Sequence, residues 1–149
     1  MQPPAPSWIQ DSIDEMNAAE RSAPAGILPE HETLDRRARA YSSAVAGWLQ
    51  AVETPGDRDP ADPRSVLARG GAVIPAKVYR ALSSLRLSRD GHGNVPADWK
   101  GPANAVLLSI DRSQAAWRAL VERGIAPATE VEPFVSELRA LGAELKRLL

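Results

Sequence analysis

The chain has 149 residues, no cysteine and a formal net charge of −1, from 18 basic and 19 acidic side chains. This length suits a core-forming domain, and the absence of cysteine excludes disulfide scaffolds, cysteine-based zinc sites and cysteine nucleophiles. The balanced charge predicts no DNA or membrane binding, and no apolar run reaches the ~20 residues of a membrane helix. We therefore expect a cytoplasmic protein. Its Arg-rich, Ala-rich composition is typical of a GC-rich bacterial coding sequence.

Residues 1–30 are predicted to form an N-terminal appendage made of a Pro-rich tail, a short helix and a linker. Ser7 and Gln10 have the spacing of a capping box, which marks a helix start. A narrow apolar face follows at Ile9, Ile13 and Met16. If Trp8 is exposed on this helix, it would anchor a partner, because Trp is enriched at binding hot spots. The alternative is that the helix folds back onto the rest of the chain.

Residues 31–149 are predicted to form one domain of four amphipathic helices. In three segments apolar side chains repeat at alternating steps of four and three, which is the period of one helix face. The first stripe, over about 30–53, contains Leu34, Ala38, Tyr41, Val45, Trp48 and Val52. The stripe over 98–124 contains Trp99, Ala103, Val106, Ile110, Ser113, Trp117 and Leu120. The last contains Val131, Phe134, Leu138, Leu141, Leu145 and Leu148.

The remaining helix, over about 64–87, contains Gly70, Gly71 and Pro75, which disfavour a straight helix. We expect either a break at 70–75 or a kink, and a kink would let a neighbouring backbone approach closely. Short connections between helices favour antiparallel neighbours. The sequence therefore predicts an all-α fold, an antiparallel (up-down) four-helix bundle with a short N-terminal appended helix.

Helix ends are also marked in the sequence. Asp62-Pro63 is a favourable N-cap followed by a first-turn proline, and Gly124 is a C-terminal glycine cap. Thr129 and Glu132 predict a capping box for the last helix. Pro102 is expected in the first turn of its helix, where proline is tolerated.

Asp111 and Arg112 lie off the apolar stripe of their helix and are candidate binding residues. They either form part of a solvated face, or they are buried and paired, because a lone buried charge is costly. In the buried case Asp111 would pair with the Arg-rich run at 36–39, and Arg112 with Glu132 or Glu137.

Arg86 and His92 are separated by five residues. This pair resembles the Arg and His motif of HEPN ribonucleases, a family of helical bundles, although the resemblance covers only two residues. It implies that the two side chains would act on the 2′-hydroxyl and phosphate of RNA, in a cleft facing a symmetry mate. Leu87 follows the arginine where the family usually has a polar residue.

The function that the residues favour is a non-catalytic helical protein-interaction module, with a protein partner or a second copy of the chain. No nucleophile with its base, phosphate loop or cofactor motif is present, and a Glu-x-x-His metal pair is missing, so we expect no cofactor and no metal. An alternative is a small ligand held between helices by Tyr41, Trp48 and Trp117. The candidate binding residues are Trp8, Trp99, Asp111, Arg112 and Trp117.

Overall fold

A computed structural model describes Ile9 and residues 26–52, 59–89 and 96–148, with side chains at 26–52, 59–86 and 99–148. The described chain is all-helical, as predicted. A 3₁₀ turn at Pro29–His31 precedes four α-helices: α1 (Glu32–Ala51), α2 (Pro63–Arg89), α3 (Pro96–Glu122) and α4 (Ala128–Leu148). None of the described helices combines the length and the apolarity needed to cross a bilayer. Ile9 is helical and buried, and the rest of the expected appended helix lies outside the described residues.

The helices pack in a closed circuit, in which α1 contacts α2, α2 contacts α3, α3 contacts α4, and α4 contacts α1. The predicted stripes of α1, α3 and α4 supply much of the core, and α2 adds Leu67, Ile74, Val78 and Leu82. The largest fully buried side chains are Trp117, Tyr41, Leu67, Ile74, Leu82, Leu120, Leu138, Leu141, Leu145, Val45, Val78 and Val106.

Two predicted helix ends are confirmed. The Asp62 carboxylate accepts a hydrogen bond from the backbone N–H of Arg64 at 2.8 Å, and Pro63 is the first residue of α2. At the end of α3, Gly124 has φ +70°, and the N–H of Ile125 donates to the carbonyl of Leu120 at 2.9 Å. This left-handed conformation is one that glycine adopts without steric cost.

The predicted capping box of the last helix is wrong. α4 begins at Ala128, and the carbonyl of Pro127 accepts from the N–H of Val131, so Thr129 lies inside the first turn. Pro127 comes immediately before Ala128 and already fixes the direction of the backbone at the start of the helix. Thr129 is exposed and does not need to act as the cap.

Of the two alternatives expected for α2, the break is wrong, because the helix is continuous across Gly70, Gly71 and Pro75. Pro75 has no N–H, so the carbonyl of Gly71 lacks its usual donor four residues later. The hydroxyl of Ser42 on α1 donates to this carbonyl instead. Close approach of α1 therefore replaces the hydrogen bond that the proline removes.

Gly70 provides the expected close approach on the other side of α2. A Cβ atom at Gly70 would lie 2.4 Å from the Oγ atom of Ser113 on α3. Ser113 is fully buried, so its hydroxyl has little room to move away. Glycine at this position lets α2 and α3 pack at short range.

Pro102 lies in the second turn of α3, not in the first as expected, because the helix already begins at Pro96. At this depth a proline is no longer neutral. The carbonyl of Asp98 has no N–H four residues later from which to accept a hydrogen bond.

Candidate functional site

The aromatic residues expected to line a ligand cavity are packed against one another. Trp117 is fully buried, stacks on Phe134 with 4.3 Å between ring centroids, and meets Trp48 edge-on at 5.0 Å. The Trp117 indole N–H donates to the Tyr41 hydroxyl at 3.1 Å, and burial raises the pKa of that hydroxyl. Trp99 is 5% exposed. Trp99 and Trp117 therefore present almost no surface to a partner.

Asp111 and Arg112 are both exposed on α3, so the hypothesis that they are buried and paired is wrong. The residues named as their partners are used elsewhere. Glu137 is buried and receives two hydrogen bonds of 2.8 Å from the Arg37 guanidinium, which joins α1 to α4. The bond to Glu137 raises the pKa of Arg37, although burial opposes this shift. Asp111 and Arg112 remain candidates for contact with a partner, but only as surface residues.

The other predicted site residues are not brought together in the described part of the chain. Arg86 is half-buried near the end of α2. Trp8 and His92 lie outside the described residues, so the predicted partner anchor and the predicted Arg86–His92 pair lie outside them as well.

One buried carboxylate stands out on α1. Asp35 is 3% exposed; its Oδ2 atom is 3.0 Å from the Arg39 guanidinium, and its Oδ1 atom has no hydrogen-bond partner. Burial raises the pKa of Asp35 to about 6, although the positive charge of Arg36 opposes the shift. Asp35 and Arg39 form an (i, i+4) pair with the acid first, which is the favourable order on a helix. The Arg39 guanidinium also lies 5.8 Å above the ring centroid of Tyr79 on α2.

The surface feature that sequence reasoning missed is a groove between α2 and α3, with a volume of about 510 Å³. We call it the α2–α3 groove. One wall comes from α2 and is cationic and polar, and the other comes from α3 and carries small side chains. Its lining residues are Lys77, Arg80, Ser84, Gly101, Pro102 and Ala105.

The two cations of the groove have no acidic partner among the described residues. The described arginines at 36, 37, 39, 64 and 147 form ion pairs with carboxylates, whereas Lys77 and Arg80 form none there. Their spacing from Ser84, in steps of three and four, places all three side chains on one side of a helix. That spacing was visible in the sequence. The wall supplied by α3 was not, because it depends on which helix packs beside α2.

Comparisons with protein families, with curated proteins and with solved structures found no match to this chain. No group of three His, Asp or Glu side chains converges as metal ligands would within the described ranges. Function must therefore be inferred from the chemistry of the groove.

Proposed function

We propose that this chain is a non-catalytic helical interaction module that holds a protein partner in the α2–α3 groove. The observation that carries the proposal is the pair of cations, Lys77 and Arg80, which face a 510 Å³ groove without a carboxylate partner in the described chain. A cleft lined by charge of one sign attracts a ligand of opposite charge. Other described arginines, among them Arg112, Arg118 and Arg139, also form no ion pair with a described residue, but Lys77 and Arg80 are the cations that line this groove.

The lining of the groove favours binding over chemistry. Ser84 is its one hydroxyl, and a serine nucleophile needs an adjacent general base. The six lining residues include no carboxylate and no imidazole. Lys77 and Arg80 supply positive charge and hydrogen-bond donors, which orient an anionic group without transferring a proton from Ser84.

In the arrangement that we infer, neighbouring helices run in opposite directions. Arg37 pairs with Glu137, while Trp48 donates to Glu130 at 2.6 Å, so residue numbers rise on α1 as they fall on α4. Gly70 on α2 lies against Ser113 on α3, and the groove joins residues 77–84 to residues 101–105, which supports the same opposite order for α2 and α3. An up-down bundle of this kind gives the groove two rigid walls, which reduces the ordering cost of binding.

The proposal is tested by photocrosslinking in the native host. A photoreactive amino acid placed at Ala105, in the groove, is expected to capture a protein. The same amino acid at Ala143, an exposed position on α4, is expected not to capture it. The double substitution Lys77→Glu/Arg80→Glu should abolish the adduct formed from position 105.

The matched control reverses two charges away from the groove. Arg139→Glu/Lys146→Glu changes the net charge by the same amount on the exposed face of α4, and it should leave the adduct at Ala105 intact. Adducts that form equally at Ala143, or that survive charge reversal in the groove, would show that the groove is not the docking site.

A further inference from the structure

Pro102, a lining residue of the α2–α3 groove, leaves one backbone carbonyl of α3 without its usual helical donor. Pro102 lines the groove on α3, and its ring nitrogen carries no hydrogen. The carbonyl of Asp98, one turn earlier, therefore has no N–H from residue 102 to accept. A backbone carbonyl that has lost its helical donor retains a strong need for a hydrogen bond. The lining of the groove thus supplies positive charge from Lys77 and Arg80, and the helical turn that precedes Pro102 supplies a backbone acceptor without a helical donor.

We propose that the α2–α3 groove binds a short acidic segment of a partner protein in extended conformation. A carboxylate of that segment pairs with Lys77 and Arg80, and one of its backbone N–H groups donates to the carbonyl of Asp98. This inference rests on the proposed function, because it names the chemistry of the partner in the same groove.

The occupant must be both an anion and a hydrogen-bond donor. A phosphodiester or a fully ionised phosphate monoester offers only acceptors, so it satisfies Lys77 and Arg80 but leaves the Asp98 carbonyl unpaired. An extended peptide carries a backbone N–H at each residue beside its side-chain carboxylates. Acidic peptide is therefore the chemistry that complements both sets of groups.

The lining also disfavours nucleic acid. Single strands are held by aromatic side chains on which bases stack, and none of the six lining residues is aromatic. Two cations neutralise few phosphates, and the chain as a whole has a net charge of −1, which gives a polyanion no long-range attraction.

The size and shape of the groove set the length of the occupant. A volume of about 510 Å³ is within the range of pockets that hold a ligand of drug size, so it admits a few residues and not a folded domain. Gly101 and Ala105 have almost no side chain, which lets a peptide backbone lie close to α3. Lys77 and Arg80 stand opposite, where a carboxylate on that backbone reaches them.

The test uses the full chain and an array of labelled hexapeptides in which two aspartates occupy every spacing, with asparagine versions as neutral counterparts. We expect binding of aspartate peptides over their asparagine versions. Lys77→Glu/Arg80→Glu should weaken the best peptide by at least about 10-fold, the effect of ~1.4 kcal/mol. Arg139→Glu/Lys146→Glu should change affinity less than about twofold, because exposed distant charges contribute little.

The contact with Asp98 is tested with N-methylated versions of the best peptide. Methylation of the amide that faces Pro102 removes its N–H, and we expect one methylated position to lose affinity by several-fold while others do not. Equal binding by every methylated peptide would contradict the backbone contact. A uridine decamer that binds more tightly than any peptide, and that loses affinity on Lys77→Glu/Arg80→Glu, would overturn the peptide proposal in favour of RNA.

Failure of this inference can be distinguished from failure of the proposed function. Groove-specific protein adducts from position 105, together with no preference for aspartate peptides, would overturn the acidic segment and leave the interaction module standing. Loss of both results would overturn both.

Discussion

Pro75 and Pro102 make the same chemical change in two helices, with different outcomes. Each removes an N–H and deprives the carbonyl four residues earlier of its donor. At Pro75 the neighbouring helix α1 brings the Ser42 hydroxyl to the carbonyl of Gly71. Pro102 lines the α2–α3 groove, and in our proposal the corresponding carbonyl, that of Asp98, accepts from a partner there. A proline inside a helix thus has a structural role where a neighbouring helix supplies the missing hydrogen-bond donor. In our proposal it contributes to binding where it lines a groove.

The close packing of α2 against α3 near Pro75 leaves no room for a larger side chain at position 70. Gly70→Ala would place a Cβ atom 2.4 Å from the Oγ atom of Ser113, and neither helix can move away without opening the core. Overpacking of this kind costs about 1–3 kcal/mol, which exceeds the gain of about 1 kcal/mol that alanine brings to a helix. Urea unfolding followed by circular dichroism should show a net loss of stability.

The matched control for this substitution is Gly47→Ala on α1, where an added Cβ meets nothing within 4 Å. It should stabilise the protein by up to about 1 kcal/mol. Adding Ser113→Ala to Gly70→Ala removes the clashing hydroxyl and should restore most of the lost stability, because the Cβ of Ser113 is 3.7 Å away. A double variant as unstable as Gly70→Ala alone would disprove the contact as the cause.

The hydrogen bond that compensates for Pro75 is tested by Ser42→Ala. The substitution leaves the carbonyl of Gly71 buried without a donor, which costs about 1–3 kcal/mol. In a Pro75→Ala background the helix regains its own N–H, so Ser42→Ala should cost much less there. Ser43→Ala, at the exposed neighbouring position, should have little effect in either background. Equal losses for Ser42→Ala with and without Pro75 would show that the hydroxyl does not replace the missing donor.

Pro102→Ala removes the proline that lines the groove. We expect this substitution to raise the stability of the protein and to weaken peptide binding. Alanine restores the N–H that the carbonyl of Asp98 lacks, so the free energy of unfolding should rise by roughly 1 kcal/mol. The acidic peptide should bind several-fold more weakly, because its N–H now competes with the helix. Thermal unfolding and fluorescence anisotropy measure the two effects. Gain of stability with unchanged peptide affinity would separate the proline from the binding site.

The sequence predicts the parts of this molecule that depend on local chemistry. Helical periodicity identifies α1, α3 and α4, and the caps at Asp62 and Gly124 depend on residues next to them in the chain. The continuity of α2 could not be predicted, because Pro75 is tolerated through a hydroxyl 33 positions earlier in the sequence. The same limit applies to the groove, whose cations are visible on α2 but whose other wall belongs to α3.

The fate of charged residues shows this limit as well. Asp111 and Arg112 were candidates for a buried pair because their helix is rich in small apolar side chains. The structure buries Asp35 and Glu137 instead. The solvent-exposed side of a helix depends on how far the neighbouring helices wrap around it. A single stripe of apolar residues indicates only the centre of the buried face.

Asp35 shows a third outcome for a buried acceptor without a hydrogen-bond donor, because its carboxylate can take up a proton. Its pKa is raised above the ordinary value of 3.8 to about 6, so the folded state binds a proton more readily than the unfolded state. The free energy of unfolding should therefore be greatest below about pH 4, fall between pH 4 and 6, and change little above that range on account of this residue. A shift of this size corresponds to a change of roughly 3 kcal/mol in the free energy of unfolding. Urea unfolding at a series of pH values measures this change. Asp35→Asn should reduce the slope of the free energy of unfolding between pH 4 and 6, whereas Glu122→Gln on the exposed face of α3 should leave that slope unchanged.

An unaltered slope in Asp35→Asn would assign the pH dependence to other carboxylates. A reduced slope would show that this buried carboxylate oxygen, which lacks a donor such as the Ser42 hydroxyl that serves the Gly71 carbonyl, is satisfied by protonation.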